Sequence, residues 1–509
     1  MFNINVVVFN ISNDKIFNST TEDIRMSHSK MKNAIDNFLK GNMSRRDLLI
    51  KAGRYGIGFA ALTKLMGLQV TNALAAQDFD WKKHSGTTIK LLMNKHPYMD
   101  SMLAELDNFK ALTGMNVEYD IFAEDVYFDK VTAALSSGSS EYDAFMTGAY
   151  MTWTYGPAGW CADLNEYIQD SNKTNPSYNW NDVVGNLRDA CSWSGVAGDL
   201  PGAAGSKQWC MPWGFELNSV TYNQRYFDKA GMKPPGSLAE MSDQADWFTK
   251  NAGSNDWSYG VGTRGSRSWA TIHPGFMSAY ANYGLTDFYV NGGKLKAAMN
   301  SKASKDFHKQ WVNMISNSGP KNWSNYTWYE VGNDIGAGAS AMIYDADILG
   351  YFFNGNPDNK EAGNFGFHGF TPNESASAPT PNVWIWSLAM SNFSKKKDAA
   401  WYWMQWCNGP ENAMAGGVKH NQVNPVRESV WASGDFDDKI RGTSPGYMEQ
   451  YNSSTDGAKI HFTAQPLFFE TTTEWAAALQ EMQTGSNVDE TLDKLASKID
   501  RMMKDVGLA

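Results

Sequence analysis

Aromatic and carboxylate side chains lie together in one short segment of the chain. Trp213, Phe215 and Glu216 fall within the run Trp213-Gly-Phe-Glu216. Aromatic faces can cover the C–H edges of a polyhydroxylated molecule, and charged groups make the stronger hydrogen bonds to its hydroxyls. A buried polar group without a partner costs about 1–3 kcal/mol, so such a molecule needs partners of this kind. The segment therefore predicts a site for a small hydroxyl-rich ligand, although Glu216 could be a surface carboxylate and Trp213 could be core.

Two later segments offer further donors and acceptors. Asp345 and Asp347 come after an apolar run, and Arg427 ends the segment Asn424-Pro-Val-Arg427. Structural interpretations stay open for them, because Asp345 could cap a helix that begins near Ala346 and Arg427 could pair with a local carboxylate. We predict that Asp345, Asp347 and Arg427 belong to the same ligand site.

Paired carboxylates also leave a second function class open. Two carboxyl groups across a cleft suffice for glycoside hydrolysis, one as an acid and one as a base or nucleophile. Glu216, Asp345 and Glu470 could be assigned to those roles. The separation of carboxylates is not visible in a sequence, so an exported carbohydrate-active hydrolase remains the alternative to a binding protein.

Other motifs for chemistry are weak. Gly260-Val-Gly-Thr-Arg-Gly265 matches the Gly-x-Gly-x-x-Gly pattern, but Pro274 interrupts the helix that a dinucleotide site would require there. The 8 histidines form no His-x-x-x-His pair, so we expect no metal site. We expect neither catalysis nor a cofactor.

Composition and charge narrow the class of partner. The 509 residues exceed the roughly 100–200 of one domain, and 42% of them are hydrophobic. The formal net charge is -10, which argues against nucleic acid and against an anionic membrane surface. These values predict a soluble globular protein with more than one domain.

The four cysteines fit either of two states. Cys161, Cys191, Cys210 and Cys407 include no Cys-x-x-Cys pair. Cys191 and Cys210 bracket a glycine-rich loop, so they could form a disulfide in an oxidising compartment. All four could equally be small buried thiols.

The N-terminal part carries an export signal. Arg45 and Arg46 precede an apolar segment from Ala52 to about Val70, and the small residues 73–76 follow it. This order is that of a signal peptide, and the paired arginines are typical of the twin-arginine type. We expect residues 1–75 to be an N-terminal extension and signal, cleaved near Ala75/Ala76, and the mature protein to be periplasmic.

Hydrophobic periodicity predicts an α/β architecture. Residues 87–93, 116–122 and 142–146 have strand patterns, and helical patterns cover 99–113 and 125–136. Alternating strands and helices favour a parallel sheet, where ligands sit beyond the carboxyl ends of the strands. Those ends carry residues 94–98, 122–124 and 147–153. Helical patterns at 472–482 and 488–503 close the chain.

Several segments in fixed order resemble one known family. They are Gly-Trp-Cys-Ala-Asp-Leu at 159–164 after Tyr-Asp at 142–143, Tyr-Asn at 222–223 followed by Phe-Asp-Lys-Ala-Gly at 227–231, residues 260–265 with Trp269, residues 341–347, residues 383–401, and Asn-Pro-Val-Arg at 424–427. Together they resemble the extracellular solute-binding proteins of ABC carbohydrate importers, over nearly the whole mature chain. In maltodextrin-binding relatives a Glu at the place of Glu216 contacts sugar.

The resemblance implies further site residues. Trp384 and Trp386 favour the mannitol- and sorbitol-like branch, and Trp269 follows a glycine-rich turn as it does there. Gly-Ala-Tyr at 148–150 departs from the charged residues of maltodextrin binders. Tyr150, Trp269, Trp384 and Trp386 are therefore predicted to contact a sugar or sugar alcohol.

The resemblance also implies architecture and partners. The fold would be the class II periplasmic-binding-protein type, with two α/β lobes, a hinge of crossing strands and C-terminal helices. Residues 76–218 and 387–435 would form one lobe, and residues 219–386 and 436–509 the other, closing over the ligand by hinge motion. Such a protein is expected to be a monomer that delivers its ligand to the transmembrane subunits of an ABC permease.

Overall fold

The computed structural model describes residues 79–371, 378–420 and 422–509. The paired arginines, the apolar segment and the expected cleavage site lie outside these residues. Residues 79–509 form one compact unit. Within the described residues, no helix is both long and apolar enough to cross a membrane.

The strands of the described part are short apart from one. They are β1 (Thr88–Asn94), β2 (Asn116–Phe122), β3 (Ala144–Gly148), β4 (Ser192–Trp193), β5 (Lys207–Gln208), β6 (Met211–Asn223), β7 (Tyr259–Gly262), β8 (Phe288–Asn291), β9 (Lys294–Ala297), β10 (Ser340–Ala346), β11 (Phe365–His368) and β12 (Val383–Met390). The main sheet has the order β2-β1-β3-β12-β6-β10-β7, with β11 also paired to β6. The pairs β4-β5 and β8-β9 form small sheets of their own.

Helices connect and cover these strands. They are α1 (Pro97–Ala104), α2 (Leu106–Thr113), α3 (Glu124–Ser136), α4 (Thr152–Tyr155), α5 (Asn165–Ile168), α6 (Gly185–Ala190), α7 (Gln224–Ala230), α8 (Leu238–Lys250), α9 (Gly275–Asn282), α10 (Lys302–Ser318), α11 (Trp328–Gly336), α12 (Asp347–Asn354), α13 (Lys397–Cys407), α14 (Pro410–Lys419), α15 (Glu428–Trp431), α16 (Gly434–Thr443), α17 (Tyr447–Ser454), α18 (Phe468–Gln483) and α19 (Val488–Asp505).

The first half of the sheet agrees with the hydrophobic pattern. β1 pairs in parallel with β2 and with β3, so that Leu91 lies opposite Tyr119 and Ala144. The predicted strand 116–122 coincides with β2, and the other two differ from β1 and β3 by one or two residues. The predicted helix 99–113 is divided at Glu105 into α1 and α2, and the predicted C-terminal helices lie within α18 and α19.

Strand β6 joins two parts of the sheet. Its first half pairs with β12 as far as Leu217, and its second half pairs with β10 from Asn218 onward. The partner changes within a strand that is buried along almost its whole length. A single long strand therefore links the sheet that contains β1 to β3 with the sheet that contains β7, β10 and β11.

Tryptophans form much of the core. Fully buried ones include Trp153, Trp193, Trp311, Trp401, Trp403 and Trp475. All four cysteines are buried free thiols. Cys210 Sγ lies 3.8 Å from the Cys191 carbonyl oxygen, to which it donates. Of the two interpretations of the cysteines, the structure contains the buried thiols and not the disulfide.

Candidate functional site

A cavity lies where the ends of several strands meet. The walls nearly touch one another, because only about 10 Å³ of the cavity can hold the centre of a water molecule. The polar and charged lining consists of His96, Glu124, Glu216, Arg264 and His273. This small volume favours a ligand of few atoms over an oligosaccharide.

The topology explains why these side chains converge. His96 follows the carboxyl end of β1, and Glu124 follows that of β2. Arg264 follows β7, and the aliphatic wall of Ala346, Ile348 and Leu349 begins at the end of β10. Ligands of α/β proteins bind beyond the carboxyl ends of strands, and the cavity occupies that position.

Strands β6 and β12 supply the floor of the cavity. Glu216 lies opposite Trp384 in the register of this antiparallel pair. The Trp386 indole Nε1 donates to Glu216 Oε1 at 2.8 Å, and His96 Nε2 lies 3.8 Å from the same oxygen. Glu216 is only 5% exposed, so it is not an ordinary surface carboxylate.

Arg264 and Asp345 form a buried ion pair beside the cavity. Arg264 Nε donates to Asp345 Oδ2 at 2.9 Å, and Arg264 Nη2 donates to Asp345 Oδ1 at 2.7 Å. Two parallel bonds of this kind fix the plane of the guanidinium group. The pair turns the remaining guanidinium nitrogen, Nη1, toward His273 Nε2 at 3.4 Å.

A stack of aromatic rings forms one wall. The Trp384 ring lies 5.3 Å from Trp269 and 4.9 Å from His273, both nearly parallel to it, and Trp386 meets it edge-on at 5.1 Å. A Cβ atom on Gly148 would lie 2.2 Å from the Trp384 ring, so only glycine permits this ring position. The stack presents flat apolar surface of the kind that covers C–H groups.

Three buried donors of the wall have no hydrogen-bond partner among the described residues. They are the indole Nε1 of Trp384, the indole Nε1 of Trp328 and Nδ1 of His273. Buried polar groups of native proteins are normally paired, so these atoms need an explanation. Since all three residues line the cavity, a bound molecule with acceptor oxygens would supply the partners.

The electrostatics of the cavity are dominated by burial. Burial, together with the Glu216 and Asp345 carboxylates, raises the pKa of Glu124 to about 7, although the Arg264 charge lowers it. Burial, reinforced by the Arg264 charge, lowers the pKa of His273 well below its usual value. A neutral His273 is consistent with Nε2 accepting from Arg264 Nη1.

Comparison with known proteins places the chain in a family. Residues 105–441 match the model of the family described as bacterial extracellular solute-binding protein. The chain is 38% identical over 470 residues to the erythritol/L-threitol-binding protein of Mycolicibacterium smegmatis, covering 90% of this chain and 96% of that protein. The chain belongs to the bacterial extracellular solute-binding protein family. It is also 23% identical over 297 residues to the mannitol-binding protein of Pseudomonas aeruginosa, covering 57% of this chain and 61% of that protein.

Solved structures of solute-binding proteins have the same fold. An ABC transporter solute-binding protein of Agrobacterium vitis with bound D-mannitol superposes with a TM-score of 0.69 at 22% identity, over 83% of this chain and 99% of that chain. One of Agrobacterium radiobacter in complex with ribitol also gives a TM-score of 0.69, at 17% identity over 82% and 99% of the two chains. The predicted two-lobe α/β fold of a solute-binding protein is therefore confirmed, as is the resemblance to this family.

The cavity of this solute-binding protein brings together four of the predicted site residues. Glu216, Trp269, Trp384 and Trp386 all line it. Asp345 does not line the cavity, but it holds Arg264, which does. It also does not cap α12 from the N-cap position, which Ala346 occupies. Tyr150 supports the wall from behind, because its ring meets Trp384 edge-on at 5.3 Å and its hydroxyl donates to the Val383 carbonyl.

Trp213 and Phe215 lie on the other face of β6. Successive side chains of a strand point to opposite faces, so the neighbours of Glu216 cannot share its direction. The Phe215 ring packs 6.3 Å from Trp431, and Trp213 packs 6.0 Å from Tyr98. The sequence interpretation that placed Trp213, Phe215 and Glu216 in one site therefore needs correction, and the core interpretation of Trp213 fits the structure.

Asp347 and Arg427 are also outside the cavity lining. Asp347 accepts hydrogen bonds from the Leu217 amide and from the Asn424 and Tyr447 side chains. Arg427 is fully buried, donates to the Asn408 carbonyl at 2.7 Å and pairs with Asp182 at 3.2 Å. The structural interpretation of Arg427, in which it pairs with a local carboxylate, agrees with this arrangement.

Sequence reasoning did not select eight of the lining residues, of which five are polar or aromatic. Two of them, His96 and Glu124, fall in the strand-end segments 94–98 and 122–124 that the parallel-sheet rule had marked. Arg264 was part of the rejected Gly-x-Gly-x-x-Gly match, and its importance depends on Asp345, which is 81 residues away. His273 and Trp328 gave no local signal.

The three carboxylates considered for a hydrolase, Glu216, Asp345 and Glu470, do not lie together in the cavity. Glu470 is exposed on α18 and does not line the cavity. Asp345 is occupied by Arg264. Within the described residues, no group of three or more His, Cys, Asp or Glu side chains is placed to hold a metal ion.

Proposed function

We propose that this protein is the substrate-binding component of an ABC-type importer and that its cavity captures a short sugar alcohol. The observation that carries the proposal is the set of buried, unpartnered N–H donors on residues that line the same small cavity as the carboxylates of Glu124 and Glu216. A hydroxyl group both donates and accepts, so a polyol can satisfy both kinds of atom at once. The erythritol/L-threitol-binding relative supports a four-carbon ligand.

Other ligand classes suit the cavity less well. An anion would face the carboxylates of Glu124, Glu216 and Asp345 with one guanidinium group, already paired, to offset them. An oligosaccharide needs more room than a cavity whose walls nearly touch one another provides. The stack of Trp384, Trp269 and His273 would cover the C–H side of a short carbon chain.

The proposal includes closure of two lobes over the ligand. Residues 76–218 with 387–435 form the first lobe, and residues 219–386 with 436–509 form the second. The change of partner in β6 at Leu217 and Asn218 supports the first boundary, since strands that serve both sheets suit a hinge. The near contact of the cavity walls fits a closed form that must open to admit a ligand.

We further propose that the protein acts in the periplasm after cleavage near Ala75/Ala76, by way of a twin-arginine signal. Its partners are the polyol and the transmembrane subunits of the cognate permease, and it works as a monomer. The charge of -10 suits neither nucleic acid nor an anionic membrane surface. Delivery, and not chemistry, is the role of the bound state, because a polyol has no glycosidic bond for paired carboxylates to cleave.

A binding panel with recovery of the ligand tests this function. The purified chain is melted with erythritol, L-threitol, ribitol, mannitol, monosaccharides, disaccharides and amino acids. A ligand at about 100 times its dissociation constant adds about 2.7 kcal/mol to the free energy of unfolding, and it should be recovered intact. We expect the tetritols to give the largest rise in Tm. No rise with any polyol or sugar would contradict binding, and turnover of one would favour the hydrolase.

A further inference from the structure

The cavity and its border hold more negative than positive groups. Glu124, Glu216 and Asp345 are carboxyl groups, and Arg264 is the cation among them. Arg264 is bonded twice to Asp345, so that pair is neutral as a unit. Glu124 and Glu216 remain, in a cavity with almost no room for water. Glu216 is buried and Glu124 is half-buried, and two carboxylates placed in this way would repel each other, which favours a proton on one of them.

The two histidines of the cavity do not supply a balancing charge. His96 Nδ1 accepts from the Tyr98 amide at 3.3 Å, which places a ring proton on Nε2. His273 Nε2 faces the Arg264 donor at 3.4 Å, which places the ring proton of His273 on Nδ1. Neither ring can hold a second proton without losing its acceptor role.

Glu216 and Glu124 differ in the donors that reach them. Glu216 accepts from the Trp386 indole and faces His96 Nε2, which are contacts suited to a carboxylate. Glu124 stands at the first turn of α3 beside the buried Asn94, whose amide atoms have no well-aligned partner. The helix N-terminus, Arg264 and Asn94 favour a charge on Glu124, whereas burial, Glu216 and Asp345 oppose it more strongly.

We propose that Glu124 grips the polyol as a neutral carboxylic acid, so that ligand capture takes up one proton. The proposal rests on the proposed function, because it assigns a role to a residue of the same cavity. The proton comes from the solvent and joins Glu124 as the cavity closes, and the acid O–H then donates to a ligand hydroxyl oxygen. The second oxygen of Glu124 accepts from another hydroxyl.

The direction of the pH dependence follows from this step. With its ordinary pKa of 4.5, Glu124 is ionised in an open, hydrated cleft at neutral pH, whereas burial raises its pKa to about 7 in the closed cavity. Binding is therefore tightest below about pH 4.5 and weakens by about tenfold per pH unit as the pH rises toward 7. Above about pH 7 the carboxyl is ionised in both forms, and the dissociation constant levels off.

Calorimetry with erythritol as the probe tests the proposal. Titration of the full chain at about pH 6, in two buffers of low and high ionisation enthalpy, should give heats that differ by the uptake of close to one proton. The E124Q variant keeps a donor and an acceptor but cannot titrate. It should bind with no proton uptake and with a dissociation constant that is flat from about pH 5 to about pH 8. Glu118→Gln, on the exposed face of β2, should behave as the wild type.

The outcomes distinguish a failure of the proton-uptake proposal from a failure of the proposed function. Equal heats in both buffers for the wild type would overturn the proton uptake even if E124Q failed to fold. A pH profile in E124Q as steep as that of the wild type would move the titration to another group and overturn the role of Glu124. No binding of erythritol or any other polyol at any pH would overturn the proposed function itself.

Discussion

Two carboxyl groups of this protein, Glu124 and Asp347, both have a raised pKa but very different surroundings. Burial raises the pKa of Glu124 at the cavity and the pKa of Asp347 behind β6 to about 7 in each case. Around Asp347 every polar neighbour has a partner, whereas around Glu124 several have none. A raised carboxyl pKa therefore does not by itself distinguish a binding site from a structural network. The presence of buried hydrogen-bonding atoms without partners does.

The Asp347 network closes on itself. Tyr447 Oη lies 2.8 Å from Asp347 Oδ2 and 2.7 Å from Asn424 Oδ1. The Asn424 amide nitrogen donates to Asp347 and to the Phe215 carbonyl, and the Tyr447 hydroxyl donates within the same group. The group thus ties β6, α12 and α17 together and leaves no atom for a ligand.

The largest expected effect comes from removing the charge balance of the cavity. Arg264→Leu leaves Asp345 buried without its partner, and loss of one member of a buried pair costs about 3–5 kcal/mol. Urea denaturation should show a drop of that size in the free energy of unfolding. Arg441→Gln removes exposed pairs with Asp437 and Glu449 and should cost no more than about 1 kcal/mol. Similar losses in the free energy of unfolding for the two variants would contradict the claim that burial makes the Arg264–Asp345 pair important.

A smaller effect, on ligand affinity, should distinguish a tryptophan of the cavity wall from a tryptophan of the core. Trp384→Phe keeps an aromatic ring but removes the unpartnered indole N–H, so erythritol should bind about tenfold more weakly. Trp403 is a matched control, since its indole N–H is also buried and unpartnered but lies on α13 and outside the cavity. Trp403→Phe should leave the affinity unchanged in the same titration. Equal losses of affinity would show a general loosening and not a ligand contact.

The smallest effect is expected where the network is already neutral. Asp347→Asn should cost less than about 1 kcal/mol at pH 7 and leave erythritol binding as it was, whereas Asp347→Ala should cost about 1–3 kcal/mol. Because its pKa is raised from 3.8 to about 7, Asp347 stabilises the fold fully below pH 3.8 and loses that contribution as the pH rises to about 7. Denaturation of Asp347→Asn should lack this part of the pH dependence. An unchanged profile would show that Asp347 does not carry the proton.

Local pattern was enough for the strands and helices near the two ends of the described part of the chain. The alternation in residues 116–122 gave β2, and the spacing at 488–503 gave most of α19, because burial of one face depends on near neighbours. The rule for parallel sheets also marked the segments of His96 and Glu124 before any contact was known. Resemblance supplied Trp269, Trp384 and Trp386, which lie far apart in the sequence and meet in the cavity.

Contacts between residues that are far apart in the sequence could not be predicted from local patterns. Arg264 has a role because Asp345 lies beside it, and no local pattern announces such a pair. The sequence position of Arg427 suggested a contact with the ligand. In the structure Arg427 forms an ion pair with Asp182 and its guanidinium group lies over the Tyr178 ring. For Phe215 a local rule was available, since strand alternation alone sets it on the face opposite Glu216.

A crystal structure of the protein with erythritol tests the central claim most directly. We expect the tetritol between Glu216 and Trp384, with hydroxyl oxygens within hydrogen-bond distance of the Trp384 and Trp328 indole nitrogens and of Glu124. Density for the ligand elsewhere, such as the surface groove lined by Trp81 and Trp406, with those nitrogens still unpartnered, would contradict the assignment of the cavity as the binding site.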